Sequence, residues 1–166
     1  MEKSCFNKLG KPFFHLSNDQ YIFNELYEST MKDFESNSKK FVTLIEGDKC
    51  KNKKGLFKEF AIKMKFPDYF GDNWDAFNEC INDLEWLNCE QYVVFIKDFN
   101  FLFKNDEKNL TLFLKILVDT VEEWNMGREY GALQTLPTPF HIVIYSDKEI
   151  ISDLLIKTHN EKINLF

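Results

Sequence analysis

Basic residues are absent from one long stretch of this 166-residue chain. From Phe66 through Ile96 there is no Lys or Arg, whereas seven Asp or Glu residues fall inside this stretch, which we call the acidic segment. The acids outside it nearly balance the 21 bases of the whole chain, so the formal net charge of −6 originates in the acidic segment. Such a concentration of negative charge favours a basic protein partner and argues against direct binding to nucleic acid.

Cysteine and long apolar runs are also scarce. The four cysteines form no CxxC pair and have no His at zinc-ligand spacing, so they predict reduced thiols rather than a metal site or a disulfide framework. No apolar run approaches the roughly 18 residues that span a membrane, and the N-terminus lacks the apolar stretch of a signal peptide. We therefore expect a cytoplasmic protein that has no membrane contact and no cofactor.

Enough apolar residues are present for a folded α/β protein, since 44% of the chain is hydrophobic and 16% aromatic. Three short β-rich runs, Phe41–Gly47, Gln91–Asp98 and Phe140–Ser146, alternate with helical patterns. Two helices are predicted between the first two runs, and a third, about Asn109 to Trp124, carries an apolar stripe at spacings of three and four. The order β-α-α-β-α-β predicts a three-stranded parallel sheet packed by helices.

A single domain is expected over residues 1–166, with a core of about 41–146 and extensions at 1–40 and 147–166. Both extensions look helical: Leu16–Phe34, where Ser17 and Gln20 are spaced as a capping box, and Asp147–Lys157. The segment Asn125–Pro139 predicts a long loop, where mobility is expected.

The second predicted helix lies in the acidic segment and begins within the stretch FPDYFGDNWDAFNEC, residues 66–80. Asp72 is its predicted N-cap, and Tyr69 precedes it. At 100° per residue its outer side carries Asp75, Asn78, Glu79, Asn82 and Asp83. Like charges four residues apart cost a few tenths of a kcal/mol per pair, and the segment contains no base to offset that cost. This side is either a solvated helix face or, with Tyr69 as an aromatic anchor, a partner-binding surface.

The same stretch resembles the motif of the barstar family, the intracellular ribonuclease inhibitors and their immunity-protein relatives. The resemblance rests on the run Pro-acid-aromatic-aromatic-Gly-x-Asn-x-Asp-Ala, followed by an acid and Cys at positions 79 and 80. It extends more weakly from about Phe41 to Ser146. It implies a three-stranded parallel sheet packed by helices, and a helix-and-loop surface that plugs the basic active site of a ribonuclease.

The resemblance also implies individual contact residues. Glu79 matches the family's key acid, which takes the place of the RNA phosphate, and is one methylene longer than the usual Asp. The family's contact positions are matched by Tyr69, Asn73, Asp75 and Glu79. A Trp holds the place of Asn78 in the well-studied member, and Asp83 and Leu84 also depart, which implies a different target enzyme. On the third helix, Asp119 and Glu123 are similar in placement to acids that assist binding.

Two other functions are compatible with the sequence. Asp72, Asp75, Glu79 and Asp83 could serve as Mg²⁺ or Ca²⁺ ligands in a phosphoesterase. However, there is no EF-hand spacing, P-loop or nucleophile motif, and His15, His141 and His159 are far from the acids in sequence, so we expect no enzyme. An acidic scaffold or regulatory module that binds another basic protein is also compatible with the composition. The prediction that the resemblance favours is an inhibitor whose partner is a basic ribonuclease or nuclease toxin.

Overall fold

The protein is built on a five-stranded sheet in which every pair of neighbouring strands is parallel. The computed structural model describes residues 6–10, 12–130, 133–147 and 164–166. In spatial order the strands are β2 (Lys40–Glu46), β3 (Gln91–Lys97), β6 (Phe140–Tyr145), β1 (Phe14–Ser17) and β7 (Asn164–Leu165). The helices are α1 (Gln20–Glu35), α2 (Lys53–Lys63), α3 (Trp74–Asp83) and α4 (Glu107–Met126). A short antiparallel hairpin joins β4 (Arg128–Tyr130) to β5 (Leu133–Thr135).

The three predicted strands are confirmed as parallel neighbours, and the order β-α-α-β-α-β is found from β2 to β6. The prediction that the sheet has three strands is wrong. β1 pairs with β6 from Phe14 opposite Ile142 to Ser17 opposite Tyr145, and β7 pairs with β1. The run FHLS that forms β1 is fully buried, and sequence reasoning had assigned its last two residues to the start of a helix.

The N-terminal helix is present, but its predicted capping box is wrong. Asp19 is the N-cap of α1, and its Oδ1 accepts hydrogen bonds from the backbone N–H groups of Tyr21 (2.9 Å) and Ile22 (3.1 Å). Ser17 belongs to β1 instead. The predicted C-terminal helix, Asp147–Lys157, lies outside the described residues except for Asp147.

Two apolar cores cover the two faces of the sheet, because successive strand residues point to opposite faces. On one face Tyr92, Val94 and Ile96 of β3 pack with α2, α3 and α4. On the other face Val93 and Phe95 pack with α1. The helix α3, whose outer acids Asp75, Glu79 and Asp83 we call the acidic row, therefore belongs to the larger, three-helix layer.

The segment predicted as a long loop, Asn125–Pro139, contains the β4–β5 hairpin. Its base is packed tightly against the end of α4. Gly127 has φ +76°, and a Cβ there would lie 2.8 Å from the carbonyl oxygen of Thr135, so the backbones of these two segments can approach only because residue 127 is glycine. The N–H of Thr138 donates to the carbonyl of Trp124 (2.7 Å). These contacts hold the residues after the hairpin beside α4.

Within the described ranges, no helix has both the length and the apolar character needed to cross a membrane. Cys50, Cys80 and Cys89 are free thiols there, and Cys5 lies outside those ranges.

Candidate partner-binding site

The N-cap of α3 lies one residue later than predicted. Asn73, not Asp72, is the N-cap, and its Oδ1 accepts the N–H of Ala76 at 2.9 Å. Asp72 adopts a left-handed backbone conformation with φ +50°, which an N-cap does not use, whereas Asn73 is extended. Asn73 also donates through Nδ2 to the carbonyl of Gly71 (3.1 Å). Asp75 consequently lies in the first turn, next to the positive end of the helix dipole.

The two sides of α3 are mostly those that the periodicity predicts. Phe77, Cys80 and Ile81 are buried, while the outer side exposes a row of polar residues: Asp75, Asn78, Glu79 and Asp83. The assignment of Asn82 to the outer side is wrong, since this residue is only 6% exposed.

The burial of Asn82 results from contacts within α3 and from packing by α4 and the hairpin. Its Nδ2 donates to the carbonyl (3.0 Å) and to the Oδ1 (3.2 Å) of Asn78. The indole N–H of Trp124 donates to the carbonyl of Ile81 (3.0 Å), and the guanidinium of Arg128 donates to the carbonyl of Asn82. The end of α4 and the hairpin therefore cover the last turn of α3.

A groove of about 710 Å³ opens beside this last turn, near the N-terminal ends of β3 and β6. One of its walls comes from α3 and the loop after it, and the other comes from α4 and the hairpin. Four carboxylates line it: Glu79, Asp83, Glu85 and Glu123. Arg128 and the exposed side chain of Leu136 also line it, on the side opposite α3. We call this cavity the acidic groove.

A smaller cavity of about 250 Å³ lies on the other side of the acidic row and includes Tyr69, whose side chain is 74% exposed. Glu79 and Asp83 line both this cavity and the acidic groove, so they form the ridge between them. The structure thus brings Tyr69, Glu79 and Asp83 together. Asn73 and Asp75 lie at the start of the same helix.

The electrostatic environment of the ridge is negative. Loss of hydration and then the nearby Asp83 carboxylate raise the pKa of the Tyr69 hydroxyl. Loss of hydration followed by the charges of Asp83 and Glu79 raises the pKa of the Cys80 thiol, which stays protonated. Burial raises the pKa of Tyr92, at the base of the groove, to about 12. The charge of Asp83 thus contributes to the raised pKa of Tyr69 and Cys80 on one side of the row and of Tyr92 on the other.

No ion pair within the described part of the chain includes Asp75, Glu79 or Asp83.

The two predicted acids of α4 differ in their position relative to the acidic groove. Glu123 lines the acidic groove, and its Oε2 lies 3.6 Å from Nη1 of Arg128. Asp119 does not line the groove and pairs with Lys115 at 3.0 Å. The structure therefore joins Glu123, but not Asp119, to the acidic row.

Sequence reasoning missed Arg128 and Leu136. Both come from the segment that was predicted as a loop, because its strands are only three residues long and show little alternation. The dipeptide Gly131-Ala132 between Tyr130 and Leu133 is a two-residue turn signal that could have indicated the hairpin. No group of three or more His, Cys, Asp or Glu side chains in the described ranges is arranged to hold a metal ion.

Residues 40–144 match the family described as Barstar (barnase inhibitor). This chain belongs to the barstar family. The match covers the sheet strands β2 and β3, all of β6 except its last residue, the helices α2, α3 and α4, and the whole acidic segment. The family consists of ribonuclease inhibitors rather than enzymes. No curated protein was found to match the chain.

Among solved structures, the ORC2 protein of Aeropyrum pernix, determined in ADPNP and ADP complexes, is similar to this chain. The TM-score is 0.58 with 9% sequence identity, and the similarity covers 98% of this chain and 43% of the ORC2 chain. This chain thus spans less than half of that protein's length. At such low identity the likeness concerns the fold alone.

Proposed function

We propose that this member of the barstar family inhibits a basic ribonuclease by covering its active site with the acidic row of α3. The observation that supports the proposal most strongly is the exposed row Asp75, Glu79 and Asp83, none of which forms an ion pair within the described part of the chain. The chain contains 21 Lys and Arg residues, but none of them lies in the acidic segment, so no positive charge interrupts the row along the helix. A helix face with three carboxylates and no base is suited to a partner that supplies the cations.

The physical mechanism is substitution of one anion for another. A ribonuclease holds Lys, Arg and His around the site that binds the RNA phosphates. On α3 the carboxylates recur every four residues, about 6 Å along the helix axis, so several of these cations can be paired at once. The row is preformed, and its negative field accelerates encounter with a positively charged surface. RNA is excluded because the site is occupied.

The position of each residue in the site indicates the role that we propose for it in binding. Glu79, on the ridge between the two cavities, is the central acid, and Tyr69 lies beside it as the exposed aromatic contact. Asp75 extends the row toward the start of α3, and Asp83 extends it toward the groove. Glu123 contributes a carboxylate from α4 on the opposite side of the groove.

Further contacts at the helix start and on the outer face are proposed for Asn73 and Asn78. Asn82 is left out because it is buried. We assign Asp119 no direct contact, because it is paired away from the groove.

The test is inhibition of RNA cleavage. The purified chain is titrated against barnase, and against any basic ribonuclease that the chain captures from its source cells. We expect loss of cleavage at one inhibitor per enzyme. We also expect no RNA cleavage by the chain alone, with or without Mg²⁺. Glu79→Ala should weaken inhibition, whereas Asp119→Ala, which removes the same charge outside the groove, should weaken it much less.

Two outcomes would contradict the proposal. A captured ribonuclease that stays fully active in the complex would indicate an acidic scaffold instead. Hydrolysis of RNA by the chain itself, abolished by changing Asp75 or Glu79, would indicate an enzyme.

A further inference from the structure

The wall of the acidic groove opposite α3 is formed by the end of the β4–β5 hairpin and the residues that follow it. Thr135, Leu136 and Thr138 line the groove there. Leu136 is 69% exposed, a large apolar side chain that lines the same groove as the carboxylates of α3. An exposed leucine beside an otherwise acidic surface is suited to a partner segment that combines positive charge with apolar surface.

Arg128 connects this wall to the rest of the site. Its guanidinium donates to the carbonyl of Asn82 at the end of α3, lies 3.6 Å from the Glu123 carboxylate, and stacks 5.0 Å from the ring centre of Trp124 on α4. The side chain is only 14% exposed. One residue at the first position of the hairpin is therefore bound to α3 on the opposite wall of the groove and to α4 on its own wall.

The buried polar groups of the groove are incompletely satisfied. Nε of Arg128 and Oδ1 of Asn82 are buried and have no hydrogen-bond partner within the described part of the chain. Asn82 is more than nine-tenths buried and lines the groove. Because neither atom is accessible to solvent, both belong to the packed junction between α3 and the hairpin and do not face the open part of the groove.

We propose that the segment Thr135–Thr138 is a second partner-binding surface, and that Arg128 is the positioning residue that holds it. This inference rests on the proposed function: the occupant is a basic segment of the ribonuclease inserted between α3 and the hairpin. Its cation pairs with Glu79, Asp83 and Glu123, and its apolar part covers Leu136. The inhibitor therefore contacts the enzyme through both walls of the groove and not through α3 alone.

The charge of Arg128 and its positioning role predict opposite effects. If Arg128 acted only as a positive charge near the binding face, its removal would make the groove more negative and would strengthen binding to a basic enzyme. If it positions the wall, its removal weakens binding through faster dissociation. Arg128→Lys separates the two further, because lysine keeps the charge but cannot make the planar, multiply bonded and stacked contacts of the guanidinium.

The first arm of the test needs no partner. Amide hydrogen exchange is measured on the free protein and on the Arg128→Lys and Arg128→Ala variants. We expect exchange of the hairpin amides and of the residues around Asn82 to become at least tenfold faster in both variants, while the amides of β3 stay protected. Unchanged exchange of the hairpin would overturn the positioning role.

The second arm uses barnase as the probe and compares Leu136→Ala with Met126→Ala. Met126 is as exposed as Leu136, at 71%, and lies at the nearby end of α4, but it does not line the groove. We expect Leu136→Ala to raise the dissociation rate constant about tenfold, the scale of a significant interface residue, and Met126→Ala to change it less than twofold. Arg128→Lys should also dissociate faster than the unmodified chain.

The outcomes separate the two proposals. Equal dissociation rate constants for the Leu136→Ala and Met126→Ala variants, with Glu79→Ala still weakening the complex with barnase, would overturn the second surface. The proposal that the acidic row of α3 inhibits the enzyme would be unaffected. If the unmodified chain binds neither barnase nor a basic ribonuclease from its source cells, the second surface is overturned together with the proposed function, and hydrogen exchange still decides the role of Arg128.

Discussion

At the scale of single residues, the acids of α3 occupy positions that do not all favour the helix. Asp75 lies in the first turn, where a negative charge is stabilised by the helix dipole. Asp83 is the last residue of the helix, where the dipole disfavours a negative charge, and no base is present in that turn. Each neighbouring pair of like charges in the row costs about 0.2–0.5 kcal/mol. Binding to a cationic partner gives a physical reason for an arrangement that the isolated helix does not favour.

The start of α3 offers a test at the same scale. Asn73→Ala should lower the free energy of unfolding by about 1 kcal/mol, because the hydrogen bond to the Ala76 N–H is lost. Asp72→Asn should change it by less than about 0.5 kcal/mol, since Asp72 makes no cap and asparagine tolerates the left-handed backbone. Urea denaturation of both variants measures the difference. A larger loss for Asp72→Asn would show that the cap had been assigned to the wrong residue.

At the scale of elements, the sequence predicts best where the pattern is long. The apolar stripe of α4 runs over about four turns, and β3 is a mostly apolar run buried along six of its seven residues, so both could be recognised. β1 has only four residues and is followed at once by the cap of α1, so its polar end looked like the start of the helix. β4 and β5 are shorter still.

The candidate site was predictable only in part for the same reason. The row Asp75, Glu79 and Asp83 follows from helical periodicity alone, because the three residues share one helix. The burial of Asn82 depends on Trp124 and Arg128, which are more than 40 residues away in sequence. No local pattern reports a contact of that kind. The acidic groove forms only where α4 and the hairpin pack beside α3, so no pattern within a single element predicts it.

At the scale of the whole molecule, a pair of buried histidines links the N-terminal strand to the centre of the sheet. Nε2 of His15 lies 3.2 Å from Nδ1 of His141, and Nε2 of His141 lies 3.1 Å from the carbonyl of Lys8. His141 must donate to that carbonyl, so its Nδ1 accepts from His15. The remaining nitrogen, Nδ1 of His15, has no partner within the described part of the chain. In the neutral state, which burial favours, each ring therefore has one defined tautomer.

This pair makes stability depend on pH. Burial, and then the neighbouring His141, lower the pKa of His15 to about 3, and burial lowers the pKa of His141 to about 4. The unfolded chain takes up protons at both histidines below about pH 6.5, whereas the folded chain does not. Stability is thus fully present above pH 6.5 and is lost as the pH falls toward 4, by at most about 1.4 kcal/mol per pH unit for each histidine.

Urea denaturation between pH 7.5 and 5 measures this dependence. We expect the slope of unfolding free energy against pH to be smaller in His141→Leu than in the unmodified protein, whatever the absolute stability of the variant. An equal slope in the two proteins, or titration of either ring near pH 6.5 in the folded state by NMR, would refute the account of the histidine pair.

The central claim, that the ridge of α3 occupies the enzyme's active site, is tested most directly by the rates of complex formation with the inhibited ribonuclease. Glu79→Gln and Asp119→Asn each remove one negative charge, so both should slow association slightly at low salt and neither should do so at high salt. Only Glu79→Gln should accelerate dissociation markedly. Leaving a buried cation of the enzyme unpaired costs about 2–5 kcal/mol, a range measured in part on a complex of this family. Dissociation at the same rate for both variants, at either salt concentration, would contradict the claim.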